Sequence, residues 1–260
     1  MSSNDPATLY WFWSAFFVLF GVFFITRGRR FLAASTADCC LKVPSPDAGT
    51  LERVEAAVER RQAAEGGAAP LGVWLGVFCI ALGAVEAAVR VQPALLYALM
   101  CLGMAVGVAF VFLRLRNSQP TRVAVLSART VDSVIPPYWF FVAGACAFGV
   151  LLFADGQHRG PAILVAVSSL ITIALAWRLA NLPALLSGVD IPAEQIVDDR
   201  LRFYRSRAAI VFAMAQTFVF CSNYGELDIA QTAALSFTFV AFFGFSIWMV
   251  VRQRAPVRLA

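Results

Sequence analysis

The chain is poor in the side chains that most proteins use for catalysis and for solubility. It has one histidine, His158, and one lysine, Lys42, and only 14% of its 260 residues are charged. A single histidine cannot supply bis-histidine haem ligation or a histidine-rich zinc centre, and His158 sits in an expected exposed turn rather than within the fold, where a Ser-His-Asp triad would need it. The six cysteines show no C-x-x-C spacing. Four of them (Cys79, Cys101, Cys146 and Cys221) fall in apolar runs, where a thiol acts as a small hydrophobe, and Cys39 and Cys40 are neighbours in a polar stretch. Neither a disulfide framework nor a metal site is implied. No G-x-x-x-x-G-K-[ST] or G-x-G-x-x-G element occurs, which argues against nucleotide-driven work. These absences leave no expected catalytic residue, cofactor or metal, and the chain reads as a non-enzyme.

What is present is apolar. Hydrophobic residues make up 60% of the chain and the mean hydropathy is +0.74, against about 45–50% apolar in an ordinary soluble domain. Seven segments have the length and composition to cross a hydrocarbon core of about 30 Å, at residues 8–26, 71–89, 93–113, 138–154, 161–177, 208–224 and 229–251. Backbone groups in lipid must be satisfied within the segment, and no alternating strands suggest a barrel. The fold expected is therefore all-α: a polytopic transmembrane helical bundle with about seven spans, forming one integral membrane domain over residues 1–260.

Basic residues give the direction. The three loops at 27–70, 114–137 and 178–207, with the C-terminal tail, hold 19 of the 21 Lys and Arg residues, leaving Arg90 and Arg159 on the opposite side. The positive-inside rule then places those loops and the C-terminus in the cytoplasm and the N-terminus outside. This placement also accounts for the net charge of +5 without a nucleic-acid partner. The first span lacks the features of a cleaved signal: Asp5 precedes it and Arg27-Gly28-Arg29-Arg30 follows it. Arginine makes up 20 of the 21 basic residues and alanine is abundant; this composition suggests a high-GC bacterium, and hence a bacterial plasma (inner) membrane.

Between the spans, residues 50–64 read as a short helix capped by Thr50, with Leu51, Val54 and Val58 as a thin apolar stripe. A second helix is predicted to begin near Pro192 after Asp190 and to run into the sixth span. Its Val197, Leu201 and Tyr204 share one face, as in a helix lying at the membrane interface, and Asp198 and Arg202 are spaced i,i+4. Pro136-Pro137 set an extended approach to the fourth span, with Tyr138 and Trp139 anchoring it at the headgroups. A weak internal echo links two hairpins. Pro70 and Pro137 each precede a cysteine (Cys79, Cys146) by nine residues, and Asn117 and Asn181 close the Arg-Leu-x-Asn ends.

Glu86 is the one acid inside an expected span, so it marks a possible proton or cation site; Arg90, one turn on, offers an ion-pair partner instead. Gln216 and Gln231 complete a candidate intramembrane polar site that lines a path or joins helices. Gly72, Gly76, Gly83, Gly103 and Gly107 form a candidate helix-packing seam. Asp198-Asp199 beside Arg200 is the one candidate acid pair for a membrane enzyme acting on lipid, and reads better as solvated helix charge. Beyond the lipid bilayer, the expected partners are other integral membrane proteins. The chain reads as an accessory or scaffold subunit, with a small-solute or proton-coupled carrier using Glu86 as the rival.

Overall fold

The computed structural model describes residues 14–15, 18–19, 21–23, 25–26, 48–64, 69–89, 93–117, 135–181, 189–222 and 227–253. Among them there is no strand. The helices are α1 (Ala48–Ala64), α2 (Ala69–Val89), α3 (Pro93–Asn117), α4 (Pro137–Gly149), α5 (Arg159–Ala180), α6 (Ile191–Ser222) and α7 (Ile229–Gln253). The described residues between 14 and 23 are also helical. Among the described residues two helices, α5 and the Ile229–Met249 part of α7, are long and apolar enough to cross a membrane.

Local chemistry explains where the helices begin and end. Pro136 is extended (ψ 135°) and Pro137 opens α4, where its missing N–H costs nothing. After Gly149 the backbone tightens to a 3-10 turn over Val150–Phe153, one way to satisfy carbonyls that have no partner further along. Gly156 turns the chain back with φ +40°, a conformation that suits a residue without Cβ. Asp190 caps α6, its Oδ1 accepting from the Ala193 N–H at 3.2 Å. Asn181 closes α5, donating from its backbone N–H and from Nδ2 to the Trp177 carbonyl. Both prolines of the internal echo therefore sit at helix starts, and Cys79 and Cys146 are both buried.

Three expectations shift. Thr50 is not a cap, because α1 already begins at Ala48. Val197 and Leu201 do not face a membrane surface; with Ala193 they pack on Val54, Ala57 and Val58 of α1. Trp139, read as a headgroup anchor, packs on α7: it meets Phe245 edge-on at 4.8 Å and lies 5.9 Å from Trp248. In the last two cases a second helix supplies what the sequence left to solvent or lipid. Helix α6, as expected, starts beside Pro192 and continues into the sixth apolar run: it runs unbroken for 32 residues, about 48 Å at 1.5 Å per residue.

Helix α5 lies against α3, α4 and α6, and α7 packs on α4 and α6. Two apolar clusters fill the space between them. One joins Ala98, Cys101, Val150, Phe153, Ala162, Val165 and Phe220. The other joins Ile135, Phe140, Ala143, Ile173, Ile210, Met214 and Phe245. Phe218 of α6 stacks parallel to Phe242 of α7 at 6.1 Å, in the offset geometry that ring quadrupoles favour.

Candidate functional site

Between the two apolar clusters lies a band of buried polar side chains. Ser168, Ser169 and Thr172 of α5 and Gln216 and Thr217 of α6 are all at most 2% exposed. Most of the hydroxyls answer to their own helix. Ser168 donates to the Val165 carbonyl at 2.9 Å, Thr172 to Ser168 at 2.8 Å and Thr217 to Met214 at 2.8 Å. Bonds of this kind satisfy a hydroxyl in an apolar setting without a second helix.

Gln216 ties the band together. Its Oε1 lies 3.1 Å from the Ser169 hydroxyl and 3.4 Å from that of Ser168, and its main-chain carbonyl accepts from Tyr97 of α3 at 3.0 Å. Three helices thus meet at one glutamine. Its Nε2 is buried and has no hydrogen-bond partner. Turning the amide over resolves part of this, since its two ends have nearly the same shape. Nε2 then donates to the Ser168 and Ser169 oxygens, whose protons go to the Val165 and Ala213 carbonyls. What remains unpaired is one acceptor in place of a two-proton donor. Either way, one end of the amide faces no polar group.

Gln231 belongs elsewhere. Its N–H donates to Asp228 Oδ1 at 2.7 Å while its Oε1 accepts from the Asp228 N–H at 3.2 Å, a reciprocal capping box at the start of α7. Its Nε2 donates to the Leu152 carbonyl at 3.1 Å, supplying a partner at the 3-10 end of α4. The Asp-x-x-Gln spacing was the available signal for this role. Gln216 and Gln231 share no hydrogen-bond partner. Glu86 lies on α2, but its side chain falls outside the described residues, as does Arg90 altogether.

The glycine seam is an internal contact at the positions described. A Cβ on Gly76 would lie 2.6 Å from the Gly21 carbonyl oxygen and collide with Ile25, and one on Gly21 would meet Gly76 and Ile80. Ser14 also donates to the Gly83 carbonyl at 2.7 Å. The first helix, the one ahead of α1 that holds Ser14, Gly21 and Ile25, therefore crosses α2 along Gly76–Gly83. Gly103 seats the Phe78 ring, which a Cβ would strike, and Gly107 is buried. Gly72 lies on α2, with its surroundings outside the described residues.

One charged cluster was not foreseen as such. Asp198 is 3% exposed and pairs with Arg202 at 2.6 Å and with Arg61 of α1 at 3.0 Å; Glu194 pairs with Arg60 at 3.6 Å. The reading of Asp198 as solvated helix charge is thus corrected: α1 covers it. Acids and bases repeating every four residues (Glu194, Asp198, Arg202) beside Ala193, Val197 and Leu201 were the signal for a covered face. Lower on α6, buried Arg207 stacks on Phe203 and lies 4.3 Å from the centre of the Trp248 ring, a cation–π arrangement suited to a desolvated guanidinium. Among the described residues, no three metal-binding side chains group together. No protein-family model, curated protein or solved structure matches the chain.

Proposed function

We propose that the chain is a seven-span protein of the bacterial plasma membrane, with its N-terminus outside and C-terminus inside. In this reading it serves as a non-enzymatic accessory or scaffold subunit that packs against other integral membrane proteins. The observation that carries the membrane part is the outer surface of α7. Only 17% of its apolar window is buried, whereas the core helix of a soluble protein is mostly buried. Phe237, Phe239, Val240, Phe243 and Ile247 all face outward, forming an apolar surface that suits lipid or a neighbouring span.

Exposed aromatics support the same orientation. Trp74, Tyr138 and Trp177 are exposed and lie within about a turn and a half of the starts of α2 and α4 and the end of α5. The arginine distribution puts all three of those helix ends on the cytoplasmic side, where such rings mark the headgroup level. The first half of α6, with α1 against it, then stands out from the membrane instead of lying on it. Cysteine labelling tests the topology. Asp155→Cys is expected to react with an impermeant maleimide on intact cells, and Glu55→Cys only after lysis; the reverse pattern would overturn the orientation. Purification from the native membrane in mild detergent, followed by mass spectrometry, tests the subunit role. Stoichiometric, salt-resistant membrane partners are expected, and a homogeneous chain without partners counts against it.

The buried polar band around Gln216 favours a second reading, a small-solute or proton-coupled carrier, with Glu86 as its acid. Under that reading Glu86→Gln abolishes a pH-dependent flux into vesicles at unchanged expression. A loss of thermal stability alone leaves Glu86 as a structural residue.

A further inference from the structure

We propose that the buried polar band at Gln216 binds a sodium ion, held by the side-chain oxygens of Ser168, Ser169 and Gln216. Every side-chain hydroxyl of the band has a main-chain carbonyl to take its one proton. The acceptors are Val165 for Ser168, Ala213 for Ser169, Ser168 for Thr172, Met214 for Thr217 and Gln216 for Tyr97. Each hydroxyl oxygen still has lone pairs to offer. What the hydroxyls leave unused is therefore all acceptor, which suits a ligand that brings positive charge.

Gln216 adds a further oxygen. Its Oε1 stands 3.1 Å from the Ser169 oxygen and 3.4 Å from that of Ser168. Neighbouring oxygens around an octahedral ion lie about 1.4 times the ion–oxygen distance apart, hence about 3.3–3.7 Å around a calcium-sized ion. Small shifts bring both spacings into that range. Charge then selects among ions of this size. Residues 94–113, 161–177 and 208–222 of the three helices that meet at Gln216 contain no Asp, Glu, Lys or Arg, so no carboxylate offsets a divalent ion there. Neutral oxygens suit a monovalent ion, as carbonyl rings do in channel filters. Sodium is the monovalent ion of calcium's size; potassium would force the oxygens farther apart. The amide turned over is the ion-free form, with Nε2 donating to the two serine oxygens in the ion's stead. With the ion bound, Oε1 faces the serines and Nε2 is left unpaired, which keeps binding weak and reversible. The site needs only the fold, whereas naming its ion as one that is transported rests on the carrier reading above.

Thermal unfolding of the full chain in detergent, in sodium chloride against choline chloride at equal concentration, tests the site. Binding on the order of 10 mM is expected, so about 200 mM sodium raises Tm by about 4–7 °C and potassium by less than about 1 °C. Gln216→Leu and Ser169→Ala are each expected to lose the sodium shift. Their Tm in choline, expected within a few degrees of the parent, checks that they fold. Equal Tm in sodium and choline would overturn the site and leave the band to water. So would a shift that potassium matches, or one that survives both substitutions. Uptake of radioactive sodium into proteoliposomes separates the two claims. A sodium shift without uptake upholds the site and counts against the carrier; a pH-dependent flux with no sodium shift upholds the carrier and overturns the site.

Discussion

Replacing Gly76 and Gly144 by alanine is expected to move stability in opposite directions. Both lie inside helices, where a glycine costs roughly 0.5–1 kcal/mol relative to alanine. At Gly144 an added Cβ meets nothing within 4 Å, so Gly144→Ala is expected to stabilise by about that amount. At Gly76 the same methyl would lie 2.6 Å from the Gly21 carbonyl oxygen, whereas ordinary contact begins at 3.4 Å. The obstacle is backbone, which has no rotamer to yield. The first helix must therefore withdraw by about 0.8 Å, a gap that forfeits a quarter to a half of the dispersion energy along the crossing. Overpacking of this kind costs about 1–3 kcal/mol, which exceeds the propensity gain and leaves Gly76→Ala destabilised by about 1–2 kcal/mol. Thermal unfolding of both variants, in one detergent and at one protein concentration, measures the difference. A Gly76→Ala protein as stable as Gly144→Ala would refute the crossing of the first helix on α2.

Other residues give equally specific expectations. Gln216→Leu keeps the volume and removes an amide of which one end is unpaired, while Ser168 and Ser169 retain carbonyl acceptors at 2.9 and 3.5 Å; stability is expected to change by less than about 1 kcal/mol. A loss of several kcal/mol in the same unfolding assay would show that the amide has a partner this geometry misses. Gln231→Ala removes one side of the capping box and the bond to the Leu152 carbonyl, and is expected to cost about 1–2 kcal/mol. Faster amide exchange at the start of α7 would report it. Gln231→Glu is expected to fall between the two, because its carboxylate keeps the bond from the Asp228 N–H but cannot donate to Leu152.

Much of the helical plan was legible from residues alone. The apolar runs at 71–89, 93–113 and 229–251 correspond closely to α2, α3 and α7. Asp190 followed by Ile191-Pro192 announced the start of α6, since a side-chain acceptor and a proline just inside the first turn suit a helix N-terminus. The band around Gln216 was visible only in part. Gln216 stood out as a polar residue in an apolar run, but Ser168, Ser169 and Thr172 were not singled out. Nothing in the order of residues shows that α5 turns these three hydroxyls toward α6.

That contrast has a physical cause. Helix formation depends on composition and local order: enough consecutive apolar residues, a cap and a proline in the first turn. The sequence by itself determined those features. Which face of each helix meets which neighbour depends on tertiary contact, and a helix that is apolar all round carries no periodic signal of its inward side. Only the tertiary structure decided that Trp139 packs on α7, that Gln231 holds the end of α4, that Gly76 meets Gly21, and that Val197 and Asp198 lie beneath α1. In an apolar chain the solvent-facing and partner-facing sides have the same chemistry, and close packing alone tells them apart.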